Sequence, residues 1–133
     1  MILDADGQHR TEDAMNLLSQ LHQNDTDMVL GVRSFAVKIP FRSRFGNTIT
    51  RYVFRLCSGK WVSDTQTGLR AFQRNMVPKL LAVKGDRYEY EMNVLLTCAK
   101  NNTKIKEVSI ATVYHDATNS CSHFRAVRDS ARI

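Results

Sequence analysis

Strand, helix and strand signals follow one another at the start of this chain, and that order constrains its fold more than any other feature. Ile2 and Leu3 are an apolar pair that stops at the carboxylates of Asp4 and Asp6. Thr11 then opens a stretch with Glu12 and Asp13 in its first turn and Leu17, Leu18 and Leu21 on one side, and residues 28–32 form an apolar run. Acids at a helix start are favoured by the backbone dipole, and leucines three and four apart share a face, so residues 11–23 read as a helix between two buried strands. Such a crossover places its two strands parallel in one sheet. The expected fold class is α/β. Ligands in such sheets gather at the carboxyl ends of the strands, which here carry Asp4 and Asp6 on one strand and Arg33 on the other.

Two carboxylates separated by one residue suit a divalent cation, because two oxygen ligands on a short arc leave the rest of a Mg²⁺ or Mn²⁺ shell open for water and a diphosphate. The same Asp-x-Asp-Gly pattern also occurs in turns and helix caps, and that reading stands beside the first. A calcium loop does not fit, since Gln8, His9 and Arg10 follow where further oxygen ligands would be needed.

The formal net charge of +6 is unevenly spread. No acid lies between Asp27 and Asp64, whereas Arg33, Lys38, Arg42, Arg44, Arg51, Arg55 and Lys60 all do. A block of one sign attracts polyanions, whether nucleic acid, anionic lipid head groups or a phosphorylated substrate; a solvated basic face is the plain alternative. A helix over about 44–57 puts Phe45, Ile49, Tyr52 and Val53 on one flank and basic residues on the other, which defines a basic amphipathic region of about 33–60. An ordinary surface helix has the same pattern. Nucleic acid is not expected, because the aromatics form no stacking platform among the arginines. No apolar run approaches the roughly 20 residues of a bilayer span, and no signal peptide is evident. A hydrophobic content of 43% supports one domain over residues 1–133. Cys57, Cys98 and Cys121 lack zinc spacing and read as reduced thiols.

Farther on, residues 61–74 read as a polar loop feeding a short strand, with Asp64 closing the acid-free block. Residues 88–99 suit a helix with Glu89 and Glu91 in its first turn, and residues 104–114 a strand. The polar tail adds a second basic cluster at Ser122-His123-Phe124-Arg125, Arg128 and Arg132.

Taken in order, the segments Asp4-Ala5-Asp6-Gly7-Gln8-His9, Gly31-Val32-Arg33, Ser43-Arg44-Phe45-Gly46-Asn47, Ser63-Asp64-Thr65-Gln66-Thr67-Gly68-Leu69-Arg70, Glu89-Tyr90-Glu91-Met92 and Ser122-His123-Phe124-Arg125 resemble the family 2 glycosyltransferases, and within them the polyprenyl-phosphate hexosyltransferases, dolichol-phosphate-like enzymes among them. The resemblance covers nearly the whole chain. It implies the C-terminal part of a GT-A, Rossmann-like domain, with the N-terminal half that binds the nucleotide base expected to be absent. It also implies metal-dependent, inverting transfer of a hexose from a nucleotide diphosphate sugar to a polyprenyl phosphate such as undecaprenyl or dolichyl phosphate, at the cytoplasmic face of a membrane.

On this resemblance Asp4 and Asp6 match the metal site and Gln8 the sugar-nucleotide site. Arg33 and Arg44 match basic residues facing the donor and acceptor phosphates. Asp64 matches the catalytic carboxylate of the Ser-Asp loop, Arg70 the arginine that follows it, and Glu91 an acid beside the sugar pocket. The plain alternative for Asp64 is a loop carboxylate paired with Arg70 to hold the turn. Other functional classes remain open at this stage: a basic module for anionic membrane or nucleic acid, a truncated inactive fragment, or a metal-dependent phosphohydrolase.

Overall fold

The computed structural model describes residues 1–5, 7–23, 25–33, 41–86 and 88–111. Helix α1 spans Thr11–Gln23, strand β1 Met28–Arg33, helix α2 Phe41–Ser58, strand β2 Arg70–Phe72, helix α3 Val77–Leu81, helix α4 Tyr88–Lys100 and strand β3 Ile105–Ile110. A 3₁₀ turn at Arg74–Met76 leads into α3. The chain is thus a mixed α/β structure with a small three-stranded sheet, which is consistent with a partial glycosyltransferase domain. The second basic cluster of the tail lies outside the described residues, as does Asp6.

The sheet has the order β2-β1-β3. Strand β1 pairs with β3 in parallel, Met28 opposite Ile105 and Arg33 opposite Ile110, and with β2 antiparallel, Leu30 opposite Arg70. Alternation along β1 sends successive side chains to opposite faces. Met28 and Leu30 pack with Phe54, Met92, Leu95 and Cys98 of α2 and α4. Val29 packs with Ala14, Leu17 and Leu21 of α1 on the other face, together with Ala71 and Ile110. The spacing of those α1 residues places all three on the one side that meets the sheet.

Helix ends are set locally. Gly59, at φ 69°, closes α2 with its N–H donating to the Arg55 carbonyl at 2.8 Å. Asn102, at φ 50°, closes α4, and Thr103 N donates back to the Cys98 carbonyl at 3.0 Å. No described helix is long and apolar enough to cross a membrane.

One expectation needs correcting. Ile2 and Leu3 are not a buried strand end: they are 45% and 49% exposed. Among the described residues this segment meets the sheet through one antiparallel bridge, Ile2 to Arg70. Ile2 N donates to the Arg70 carbonyl at 2.8 Å and Arg70 N to the Ile2 carbonyl at 3.0 Å. Since β2 runs against both, the Ile2 segment and β1 point the same way, with β2 between them. The directional part of the crossover reading therefore holds, and the adjacent pairing of the two strands does not.

Candidate functional site

The register of these strands explains why residues far apart in sequence converge. Going from Ile2 to Asp4, from Leu30 to Arg33, or backward from Arg70 toward Asp64 leads to the same end of the sheet. Asp4 reaches that end with its carboxylate against the Gly68 backbone: a Cβ on Gly68 would stand 1.9 Å from Asp4 Oδ2. The segment ahead of α1 and the loop before β2 are thus in direct contact, sixty-odd positions apart in the chain.

Arg33, at the end of β1, makes a two-pronged ion pair with Asp64. Its Nε donates to Oδ2 at 2.6 Å and its Nη2 to Oδ1 at 2.8 Å. Asp64 is completely buried and Arg33 keeps 17% of its side chain exposed. Gln66 N also donates to Asp64 Oδ1, at 3.1 Å. Planar guanidinium to carboxylate geometry of this kind fixes both partners in orientation as well as charge. The Asp64 carboxylate is therefore paired with Arg33 and not with Arg70, as the turn-holding alternative has it.

Arg70 is buried and ties the loop to α4. Its Nε donates to the Thr67 carbonyl at 2.9 Å, Nη2 to the Thr65 carbonyl at 3.2 Å and Nη1 to the Glu91 carbonyl at 3.2 Å, with Nη2 3.6 Å from Glu91 Oε2. Burial pushes the Arg70 guanidinium down from its ordinary value, while Glu91, Asp64 and Asp4 pull it back up. Burial also pushes the Glu91 carboxyl up to about 7, with Arg70 opposing and the negative charges of Asp4 and Asp64 adding to the rise. Asp4, Arg33, Asp64, Arg70 and Glu91 thus share one electrostatic neighbourhood. Gln8 is half-buried in the segment between Asp4 and α1. Arg44 lies on α2, and its side chain falls outside the described ones, as Asp6 does altogether.

Several residues that hold this site carry no role in the sequence reading. Asn47 of α2 is buried, and its Oδ1 accepts from Thr65 N at 3.1 Å and Thr65 Oγ1 at 3.2 Å. Thr50 Oγ1 lies 2.7 Å from Thr65 Oγ1. From β3, Glu107 accepts from Ser63 N at 2.6 Å and Ser63 Oγ at 2.7 Å. Thr67 Oγ1 donates to the Gly31 carbonyl of β1. An asparagine inside a helix is the one signal that could have pointed to Asn47, because that side chain competes with helical hydrogen bonding unless it has a partner of its own. Glu107 offers no comparable signal, as an acid in an alternating strand is ordinary.

Asp4 is an exposed carboxylate, the residue type a hard divalent cation takes as ligand. Among the described residues no group of three or more His, Cys, Asp or Glu side chains could by itself hold a metal ion, and Asp6 lies outside them.

Three curated relatives are similar to this chain in sequence. The chain is 33% identical over 122 residues to the uncharacterized protein MJ1222 of Methanocaldococcus jannaschii, covering 88% of this chain and 50% of that protein. It is 32% identical over 116 residues to a UDP-N-acetylglucosamine–dolichyl-phosphate N-acetylglucosaminyltransferase of Methanococcus voltae, covering 84% and 46%. It is 28% identical over 120 residues to the uncharacterized protein MJ0544 of M. jannaschii, covering 86% and 51%. The chain spans about half the length of the curated relatives it matches. No family model and no solved structure matches. The M. voltae relative is named as a transferase to dolichyl phosphate, which fits a dolichyl-phosphate glycosyltransferase-like family.

Proposed function

We propose that this chain carries the transfer site of a glycosyltransferase that moves a hexose from a nucleotide diphosphate sugar to a polyprenyl phosphate, with a divalent cation and inversion at the anomeric carbon. The observation that carries the reading is the seating of Asp4 on Gly68, which joins the Asp-x-Asp segment to the Ser-Asp loop at one end of the sheet. The M. voltae relative supports the lipid phosphate acceptor at the general level.

In this reading Asp4, with Asp6, holds Mg²⁺ or Mn²⁺, and the bound ion would neutralise charge on the leaving diphosphate. Gln8 binds the sugar nucleotide, and Arg33 and Arg44 face the phosphates of donor and acceptor. The acceptor needs little help from a base, because a phosphate monoester has its second pKa near ~6 and is already anionic at neutral pH. That agrees with an Asp64 whose oxygens are occupied by Arg33 and the loop backbone. We assign Asp64 to aiming Arg33 at the acceptor phosphate, and through it to stabilising charge in the transition state. Arg70 and Glu91 form the wall on the sugar side, where a carboxyl titrating near neutrality can donate or accept a hydrogen bond to a hydroxyl. The acceptor and a membrane surface at the cytoplasmic face are the partners this reading requires; nucleic acid is not among them.

Labelled nucleotide sugars, UDP-N-acetylglucosamine first, incubated with the chain, Mn²⁺ and a polyprenyl phosphate provide the test. Label recovered in the organic phase as a glycolipid supports transfer. Release of free sugar or phosphate without glycolipid points to hydrolysis, salt-sensitive binding without turnover points to a basic module, and either result overturns the proposal.

A further inference from the structure

We propose that the outward face of the C-terminal half of α2, together with Trp61, is a docking surface for an anionic lipid bilayer. Ile49, Tyr52 and Leu56 recur at the spacing of one helix face, and they are 40%, 57% and 86% exposed. Phe54 already supplies the inner side of this helix, at 1% exposure, so these apolar side chains are surplus to the core. Beside them Trp61 is 45% exposed. The Arg51 guanidinium sits 4.4 Å from the indole centroid and that of Arg55 5.6 Å, while the Tyr52 ring meets the indole edge-on at 6.1 Å.

This mixture is complementary to a head-group boundary. Aromatic rings settle at that depth, aliphatic side chains enter the acyl edge, and arginine heads stay with the lipid phosphates. No acid occurs from residue 28 to residue 63, and the acid that β3 brings near this surface, Glu107, is engaged by Ser63. RNA fits less well. Stacking of bases needs an available aromatic face, whereas the indole is engaged by two guanidiniums and a tyrosine edge, and Leu56 offers nothing to a base or phosphate. A second copy of the chain would set like charges against each other.

The surface lies close to the candidate site by covalent connection. Trp61 precedes Asp64 by three residues, a span of at most ~11 Å. The same helix that presents Tyr52 and Leu56 holds the Asp64 loop through Asn47 and Thr50. Docking at Trp61 therefore brings that loop to the membrane surface. The inference deepens the transfer reading, on which its membrane partner rests, by naming the surface that meets the bilayer, and it uses none of that reading's chemical steps.

Trp61 is the one tryptophan of the chain, so indole emission reports on this surface alone. Phosphatidylcholine vesicles containing phosphatidylglycerol should shift its emission to the blue, lipids brominated near the head group should quench it, and added salt should weaken both effects. Replacing Arg55→Ser and Leu56→Ser together, both at exposed positions, should weaken partitioning by about tenfold or more with the far-ultraviolet circular dichroism unchanged. Leu56→Ser alone should act in the same direction and serves if the double variant fails to fold. Unshifted emission with anionic vesicles, or partitioning indifferent to the single substitution, overturns the proposal. So does a shift produced by single-stranded RNA but not by vesicles, or one that follows protein concentration without lipid. The readout requires no donor, acceptor or turnover, so a chain that docks without transferring sugar, or transfers without docking, separates this proposal from the functional one.

Discussion

The layers around the sheet and the loop of residues 63–70 are adjoining regions held by different forces. Leu17, Val29, Leu30 and Leu95 are buried among other apolar side chains, where contacts have little direction and a neighbour of similar volume can substitute. In the loop Leu69 alone is turned into the apolar core, and the buried polar residues are Asp64, Thr65, Thr67 and Arg70. Each is held by bonds with direction: Asn47 takes two from Thr65, Arg33 takes both oxygens of Asp64, and Arg70 reaches three carbonyls. A lost partner there leaves a buried polar group with nothing to replace water, so the loop is more sharply specified than the core it rests on. A rigid presentation of Arg33 and Asp4 is what the proposed transfer, in which two phosphates would have to be aimed, requires.

The largest effect that tests this contrast is Arg70→Met against Leu95→Met. The first strands the Thr65, Thr67 and Glu91 carbonyls and takes the cation away from Glu91, which should cost about 3–5 kcal/mol. The second keeps volume and polarity in an apolar setting and should cost less than about 1.5 kcal/mol. Urea denaturation of the two variants measures the difference, and equal losses would break the comparison.

A smaller effect appears with pH. The Glu91 carboxyl stands at about 7 in the folded chain against an ordinary value of 4.5, so between those limits the folded state binds more protons than the unfolded one. Stability from this group is therefore fully present below pH 4.5 and is lost as pH rises through about 7. Glu91→Gln carries no such dependence. Relative to the parent chain it should gain up to about 3 kcal/mol between pH 4 and pH 8, read from urea midpoints across that range. Parallel curves for the two proteins would show that the loop does not register the charge at Glu91.

What was legible in the sequence divides along the same line. Helix Thr11–Gln23 and the start of α4 at Tyr88 agree with the reading, because acids in the first turn and apolar residues at helical spacing are local signals. Strand β1 was legible as an apolar run. Helix α2 begins three residues earlier than expected, and α3 at Val77–Leu81 was not read at all, being five residues long with a proline in its first turn. The motif residues Arg33, Asp64, Arg70 and Glu91 were named, but their partners were not. The pairing of Asp64 with Arg33 spans 31 positions and follows from the antiparallel placement of β2 against β1, which no local pattern encodes. The exposure of Ile2 and Leu3 is hidden in the sequence for a related reason, since an apolar pair does not say how many strands will flank it. Asn47 and Glu107 act through the tertiary positions of Thr65 and Ser63, so their roles emerged only with the fold.

The smallest change in stability belongs to Gly68→Ala, and it sharpens the contrast when set beside Gly31→Ala. A methyl on Gly31 would lie 3.1 Å from the Ile110 side chain and 3.3 Å from Leu69 Cβ, inside the packed face under α1. Overpacking there should cost about 1–3 kcal/mol. A methyl on Gly68 meets the end of the Asp4 side chain, which can rotate away toward solvent, so the loss of stability should stay within about 1 kcal/mol. The displaced carboxylate is the one assigned to the cation. Mn²⁺-dependent binding of a nucleotide sugar, followed by calorimetry, should fall at least about tenfold in Gly68→Ala, as it should in Asp4→Asn, and less in Gly31→Ala, whose methyl does not meet Asp4. Binding retained in Gly68→Ala would mean that Asp4 does its work without resting on the Asp64 loop, and the contact that carries the functional reading would lose its significance.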